Sequence, residues 1–131
     1  MRVGTVNIVG IKYTVYLYNN FEKINNKAIE RDKRYNLVKE NEDRKPLDGY
    51  CDYSAKELNI FCDDYTDREY FENTLRHEIT HAFLYEIAYQ HHYDEELVDK
   101  IAKWSPQICE LSHYVINRIR EAADERHRSS V

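Results

Sequence analysis

The chain has no apolar run approaching the roughly 20 residues that a membrane-crossing helix needs, so no spanning helix is expected. Its first residues, Met1-Arg2-Val3-Gly4-Thr5, lack the apolar stretch of a secretory signal, and the expected compartment is the cytoplasm. A basic stripe is missing too. The 19 lysines and arginines are interleaved with 24 aspartates and glutamates for a net charge of −5, which argues against nucleic acid as the primary partner. Cysteine is sparse: Cys51, Cys62 and Cys109 match no zinc-ribbon spacing, and an odd number does not suggest a disulfide framework. They read as thiols in a reducing compartment. With only three glycines and two prolines, the few that occur stand out as punctuation: a break at Gly10, a turn at Pro46-Leu47-Asp48-Gly49, and a helix start at Ser105-Pro106.

What is present fits one domain, residues 1–131, with enough length for a real core. The expected class is α+β, with strands first and helices after. Residues 5–18 are rich in Val, Ile, Tyr and Thr and read as a hairpin folded near Val9-Gly10-Ile11. Residues 19–48 are a charged insert of weak periodicity, where Ile24, Ile29, Leu37 and Val38 support at most a short helix. Tyr50-Cys51-Asp52-Tyr53 and the segment from Glu57 to Cys62 read as paired short strands joined near Ser54-Ala55-Lys56.

A long helix follows, over about residues 67–88. Thr66-Asp67-Arg68-Glu69 has the form of a capping box with Thr66 as N-cap. A second helix is expected from Asp94 as N-cap, turning Leu97, Val98, Ile101 and Ala102 inward. A third, over about 106–123, is expected to bury Ile108, Leu111, Val115, Ile119 and Ala122, leaving residues 124–131 as a fraying tail. Of the 12 tyrosines, Tyr13, Tyr16 and Tyr18 in the strand and Tyr85 and Tyr89 four apart on the helix read as half-buried core residues, not as a ligand platform.

The first of these helices carries His77-Glu78-Ile79-Thr80-His81, an H-E-x-x-H motif. Histidines four apart lie on one helical face, so both imidazoles can reach one Zn²⁺. Glu78 projects beside them as a base for water activated by the ion. Leu75, Ile79, Ala82 and Phe83 recur at helical spacing around the motif and turn its face toward a core. Core-facing histidines beside a glutamate are costly unless something binds them.

A catalytic zinc takes three protein ligands and keeps one position open. The position six residues after His81 is Ile87, so the third histidine of a metzincin is missing. Glu95, Glu96, His91 and His92 are the candidates for the third ligand. Glu95 and Asp99, four apart, share a face of the next helix in an E-x-x-x-D arrangement that resembles gluzincin-like peptidases. By that match Glu95 is the third zinc ligand, and Asp99 hydrogen-bonds a ligand histidine and fixes its orientation.

Taken together, residues 48–53, 75–83 and 95–102 resemble the small phage- or mobile-element-associated metallopeptidases of the ImmA/IrrE type. The resemblance implies a minimal zincin-like domain: a small mixed or antiparallel sheet, the motif helix and two further helices. It implies a zinc-dependent endopeptidase that takes a protein or peptide as substrate, with a regulatory protein of a phage or mobile element as the expected target. It also implies that Leu58 to Cys62 is an edge strand that pairs with extended substrate. Tyr93, His113 and Tyr114 are candidates to hold the oxyanion. Two other readings stand beside this one. One is a non-catalytic metal-binding regulator, which has no use for Glu78. The other is an SprT-like protease, which calls for a histidine third ligand. Oligomeric state is not readable from the residues.

Overall fold

Val9 and Gly10 take positive φ, 53° and 86°, as the two central residues of a tight hairpin turn do, and the Gly10 N–H donates to Asn7 Oδ1 at 2.7 Å. This turn joins strands β1 (Arg2–Ile8) and β2 (Ile11–Tyr18), the hairpin expected from sequence. The computed structural model describes residues 1–34 and 47–129. Among these, two further strands, β3 (Gly49–Asp52) and β4 (Glu57–Phe61), pair antiparallel through the 54–56 connection. The mixed sheet has the order β1-β2-β4-β3, with β2 and β4 parallel.

That order corrects the expectation that the strand before the motif helix lies at the edge. β4 is internal, hydrogen-bonded to β2 on one side and β3 on the other, and β3 is the edge strand. The composition of β4 agrees. Leu58, Asn59, Ile60 and Phe61 are all buried, the continuous burial of a strand covered on both faces.

Alternation along the strands divides the core between two helices. Tyr13, Val15, Cys51 and Leu58 face α2 (Arg68–Ile87), where Ala82 and Ile79 complete the cluster. Tyr50 and Phe61 face the other way, against Ile24 and Ala28 of α1 (Phe21–Arg34). The region expected as a charged insert therefore contains a 14-residue helix that covers one sheet face, with Ile24 and Ala28 fully buried. Leu37 and Val38 lie outside the described residues. Polar ties fix both layers: Arg34 pairs with buried Asp52 at 2.6 Å, and Tyr13 and Lys56 both donate to Glu86 at 2.6 Å.

Asp67, not Thr66, caps α2, with its carboxylate accepting from the Tyr70 N–H. Thr66 instead closes the preceding turn, accepting from the Asp63 N–H at 3.0 Å and donating to its carboxylate at 2.9 Å. A short 3-10 turn, Tyr89–His91, leads to α3 (Glu95–Ser129). Asp94 caps α3 as expected, accepting from the Leu97 N–H at 3.1 Å.

α3 departs most from expectation. It is one 35-residue helix that runs through Pro106, where two helices and a frayed tail were expected. A proline inside a helix leaves the carbonyl four residues back without its partner, here that of buried Ala102. Arg76 of α2 supplies the missing donor: its Nε donates to the Ala102 carbonyl at 3.2 Å. Arg76→Met is therefore expected to cost about 1–3 kcal/mol in chemical denaturation, the penalty of an unsatisfied buried carbonyl. Beyond Pro106 the apolar stripe is present but unburied. Ile108, Leu111, Val115 and Ile119 are all more than half exposed, and Ala122 is exposed as well. No helix among the described residues is long and apolar enough to cross a membrane.

Candidate metal centre

Histidines 77 and 81 stand one turn apart on α2, on the side facing the start of α3. The three donors His77, His81 and Glu95 converge. His77 Nε2 and His81 Nε2 are 3.1 Å apart, and each lies 3.1 Å from an oxygen of Glu95. All are within 4.8 Å of one another, the one such group of His, Cys, Asp and Glu among the described residues. Donors around one tetrahedral zinc at about 2.0–2.1 Å lie about 3.3 Å apart, so the spacing fits a single ion of that size.

The outer nitrogen of each ring is occupied. His81 Nδ1–H donates to the His92 carbonyl oxygen at 2.7 Å, and a carbonyl can only accept. The proton of a neutral His81 ring is thus fixed on Nδ1, and its Nε2 presents a lone pair to the site. His77 Nδ1 lies 2.7 Å from Asp99 Oδ1, which orients that ring in the same way. With both rings neutral, two lone-pair nitrogens and a carboxylate face one another at hydrogen-bond range, an arrangement that a shared cation or a proton on one ring relieves. Asp99 follows Glu95 by one turn, so a single helical face supplies both the carboxylate at the centre and the one behind the ring.

Glu96, the nearest competitor in sequence, turns away to Lys100 at 2.9 Å. His91 is exposed, and His92 is buried with its Nδ1 held by the Tyr89 carbonyl. Neither ring joins the three donors. Burial pushes the Cys51 thiol far above its usual range, so it is no thiolate ligand, and all three cysteines are free.

Glu78 lies beneath the donors with only 6% of its surface exposed. Burial, reinforced by the negative charge of Glu95 and opposed by Arg31, pushes its carboxyl from 4.5 up to about 8. Gly49 of β3 makes its space: a Cβ there would stand 3.2 Å from Glu78 Cγ and 3.0 Å from the Asn59 carbonyl oxygen. The small residue at the start of β3 therefore lets the edge strand lie against the carboxylate.

A cleft of about 320 Å³ opens over these groups, walled by Gly49, Tyr50, Cys51 and Tyr53 on one side and His77, Glu78, His81 and Glu95 on the other. The Phe61 N–H donates to the Asp48 carbonyl, so antiparallel alternation aims the main-chain groups of Gly49 and Cys51 outward along this edge. Arg31 of α1 reaches in, stacks over the Tyr50 ring at 4.6 Å, and donates to the outward Cys51 carbonyl at 3.4 Å. Of the candidate oxyanion donors, Tyr93 stands on the cleft wall. His113 and Tyr114 are exposed on α3 beyond Pro106 and do not line the cleft. Sequence reasoning missed Arg31 and the His92 carbonyl, and read Gly49 as a turn residue within the 48–53 resemblance without its role beside Glu78. Arg31 and the His92 carbonyl carry no motif, and only the folded sheet and the 89–93 turn bring them here.

Removing Asp99 tests the support behind the centre. Asp99→Ala is expected to weaken metal binding about 10–100-fold in chelator competition, with Asp99→Asn losing less because it still accepts from the ring.

Comparison with known protein families, with curated proteins and with solved structures finds no match to this chain.

Proposed function

We propose that this chain is a zinc metallopeptidase of minimal zincin-like architecture, hydrolysing peptide bonds with Glu78 as the general base. The observation that carries the proposal is the set of three converging lone-pair donors, His77, His81 and Glu95, with a buried carboxyl beside it. When bound, zinc supplies Lewis acidity toward a carbonyl oxygen and acidifies water.

The chain's own residues supply the rest. His77 and His81 are pre-oriented through Asp99 and the His92 carbonyl, so their Nε2 atoms need no rearrangement. Glu78 takes the proton of the attacking water on a carboxylate oxygen and returns it to the leaving amine. Its burial holds the carboxylate beside the donors and away from bulk water. β3 presents outward main-chain groups at Gly49, on which an extended peptide can align by strand addition. Tyr93, on the cleft wall, is the candidate donor to the developing oxyanion. By the resemblance of its motifs, the target is a folded or partly unfolded regulatory protein of a phage or mobile element.

The test is cleavage of a denatured protein followed by mass spectrometry. New termini that appear with zinc, vanish with chelator and return on zinc addition support the proposal. Zinc-loaded protein that produces none from a broad substrate set contradicts it.

A further inference from the structure

The metal cleft does not end at the edge strand. A second cavity of about 370 Å³ adjoins it and shares Arg31, Cys51, Tyr53 and Tyr93 as common walls. Its remaining lining includes Tyr85 and Tyr89. Four tyrosines from three separate elements thus surround one space beside the metal cleft. Tyr53 stacks on Tyr85 at 4.5 Å, Tyr89 meets Tyr85 edge-on at 5.3 Å, and Tyr93 meets Tyr53 edge-on at 6.4 Å.

We infer that this cavity is the specificity pocket for an aromatic side chain of the substrate next to the bond that is cut. The inference rests on the peptidase reading above and adds the substrate class. The two charged residues that line the cavity are matched to each other, Arg31 pairing with Asp32 at 3.1 Å, and Lys56, over the Tyr85 ring at 4.7 Å, is neutralised by Glu86. A charged side chain would find no net counter-charge there. The volume lies near the lower end of the roughly 300–1,000 Å³ usual for small-ligand sites, which suits one large side chain. Rings arranged edge-on and face-on reward an added ring more than an aliphatic chain of equal area.

The experiment uses zinc-loaded protein and peptide pairs that differ only in Phe or Ala on either side of one bond. The Phe peptide is expected to be cut about 10–200-fold more efficiently by kcat/KM. That ratio is expected to fall about tenfold in Tyr89→Ala, which removes an exposed wall ring, and in Ser54→Trp, which fills the cavity from an exposed position. A ratio near one, or a ratio unchanged in variants that still cut the Ala peptide at the wild-type rate, overturns the inference. A misfolded variant would lower both peptides together and leave the ratio alone. Should neither peptide be cut, the peptidase reading is decided by the broad substrate set above, and the pocket by ligand-observed NMR with N-acetylphenylalaninamide and N-acetylalaninamide. Binding of the phenylalanine compound alone, lost in Ser54→Trp, upholds the pocket; equal or absent binding of the two overturns it.

Discussion

Glu78→Gln is expected to retain zinc at wild-type stoichiometry and to lose about 10²–10⁴-fold in kcat, the usual contribution of a positioned general base. The amide is nearly isosteric with the carboxyl and occupies the same buried space under the donors, so the ligand geometry is preserved. It cannot take up a proton from water. KM should change little, because Glu78 acts in the transition state and not in peptide binding. Single-turnover cleavage alongside metal analysis checks both halves. Loss of zinc together with activity would make Glu78 a structural support. Retention of both would remove it from the chemistry.

The same substitution is expected to stabilise the metal-free protein, increasingly so as pH rises. In the unfolded chain Glu78 ionises near 4.5, whereas burial holds the folded carboxyl protonated up to about 8. A group whose pKa is raised by folding contributes stability that is complete below its unfolded pKa and is lost as pH rises through the folded value. The amide of the variant has nothing to titrate. Between about pH 4.5 and 8, metal-free wild type should therefore lose on the order of 3–5 kcal/mol relative to the variant. Denaturant unfolding in the presence of chelator at pH 5, 6.5 and 8 reads the difference directly. Parallel stabilities across that range would mean that the carboxyl is hydrated and not held in a low-dielectric site. Together the two results describe one arrangement, in which a carboxylate unfavourable for folding is kept where catalysis needs it.

Features set by neighbours along the chain were readable from sequence. Val9-Gly10 at the hairpin, the 54–56 connection and the Asp94 cap are local signals, and each appears where expected. The histidines belong to the same class, because helical spacing alone puts His77 beside His81. Glu95 was singled out from Glu96, His91 and His92 only by the resemblance of its E-x-x-x-D spacing to gluzincin-like peptidases. Contacts between distant segments were not readable. The parallel pairing of β2 with β4 joins strands about 40 residues apart, and it is this pairing that makes β3 the edge. α1 was obscured because only Ile24 and Ala28 among its apolar residues are fully buried, within a strongly charged stretch.

Pro106 illustrates a second kind of failure. Its local signal was correct for an isolated helix, and a tertiary donor, Arg76, overrides it. The stripe from Ile108 to Ile119 illustrates a third. Periodicity identifies which face of a helix is apolar, but not whether anything packs on it. Tyr53, Tyr85, Tyr89 and Tyr93 are a fourth, scattered over a strand end, a helix and a turn, with no spacing that marks them as one pocket.

The most direct test of the account is a zinc titration of wild type, Glu95→Ala and Glu96→Ala, read by competition with a chromophoric chelator. One tight zinc per wild-type chain, kept in Glu96→Ala and lost or greatly weakened in Glu95→Ala, is the predicted result. Zinc bound equally by all three proteins, or by none of them, would contradict it.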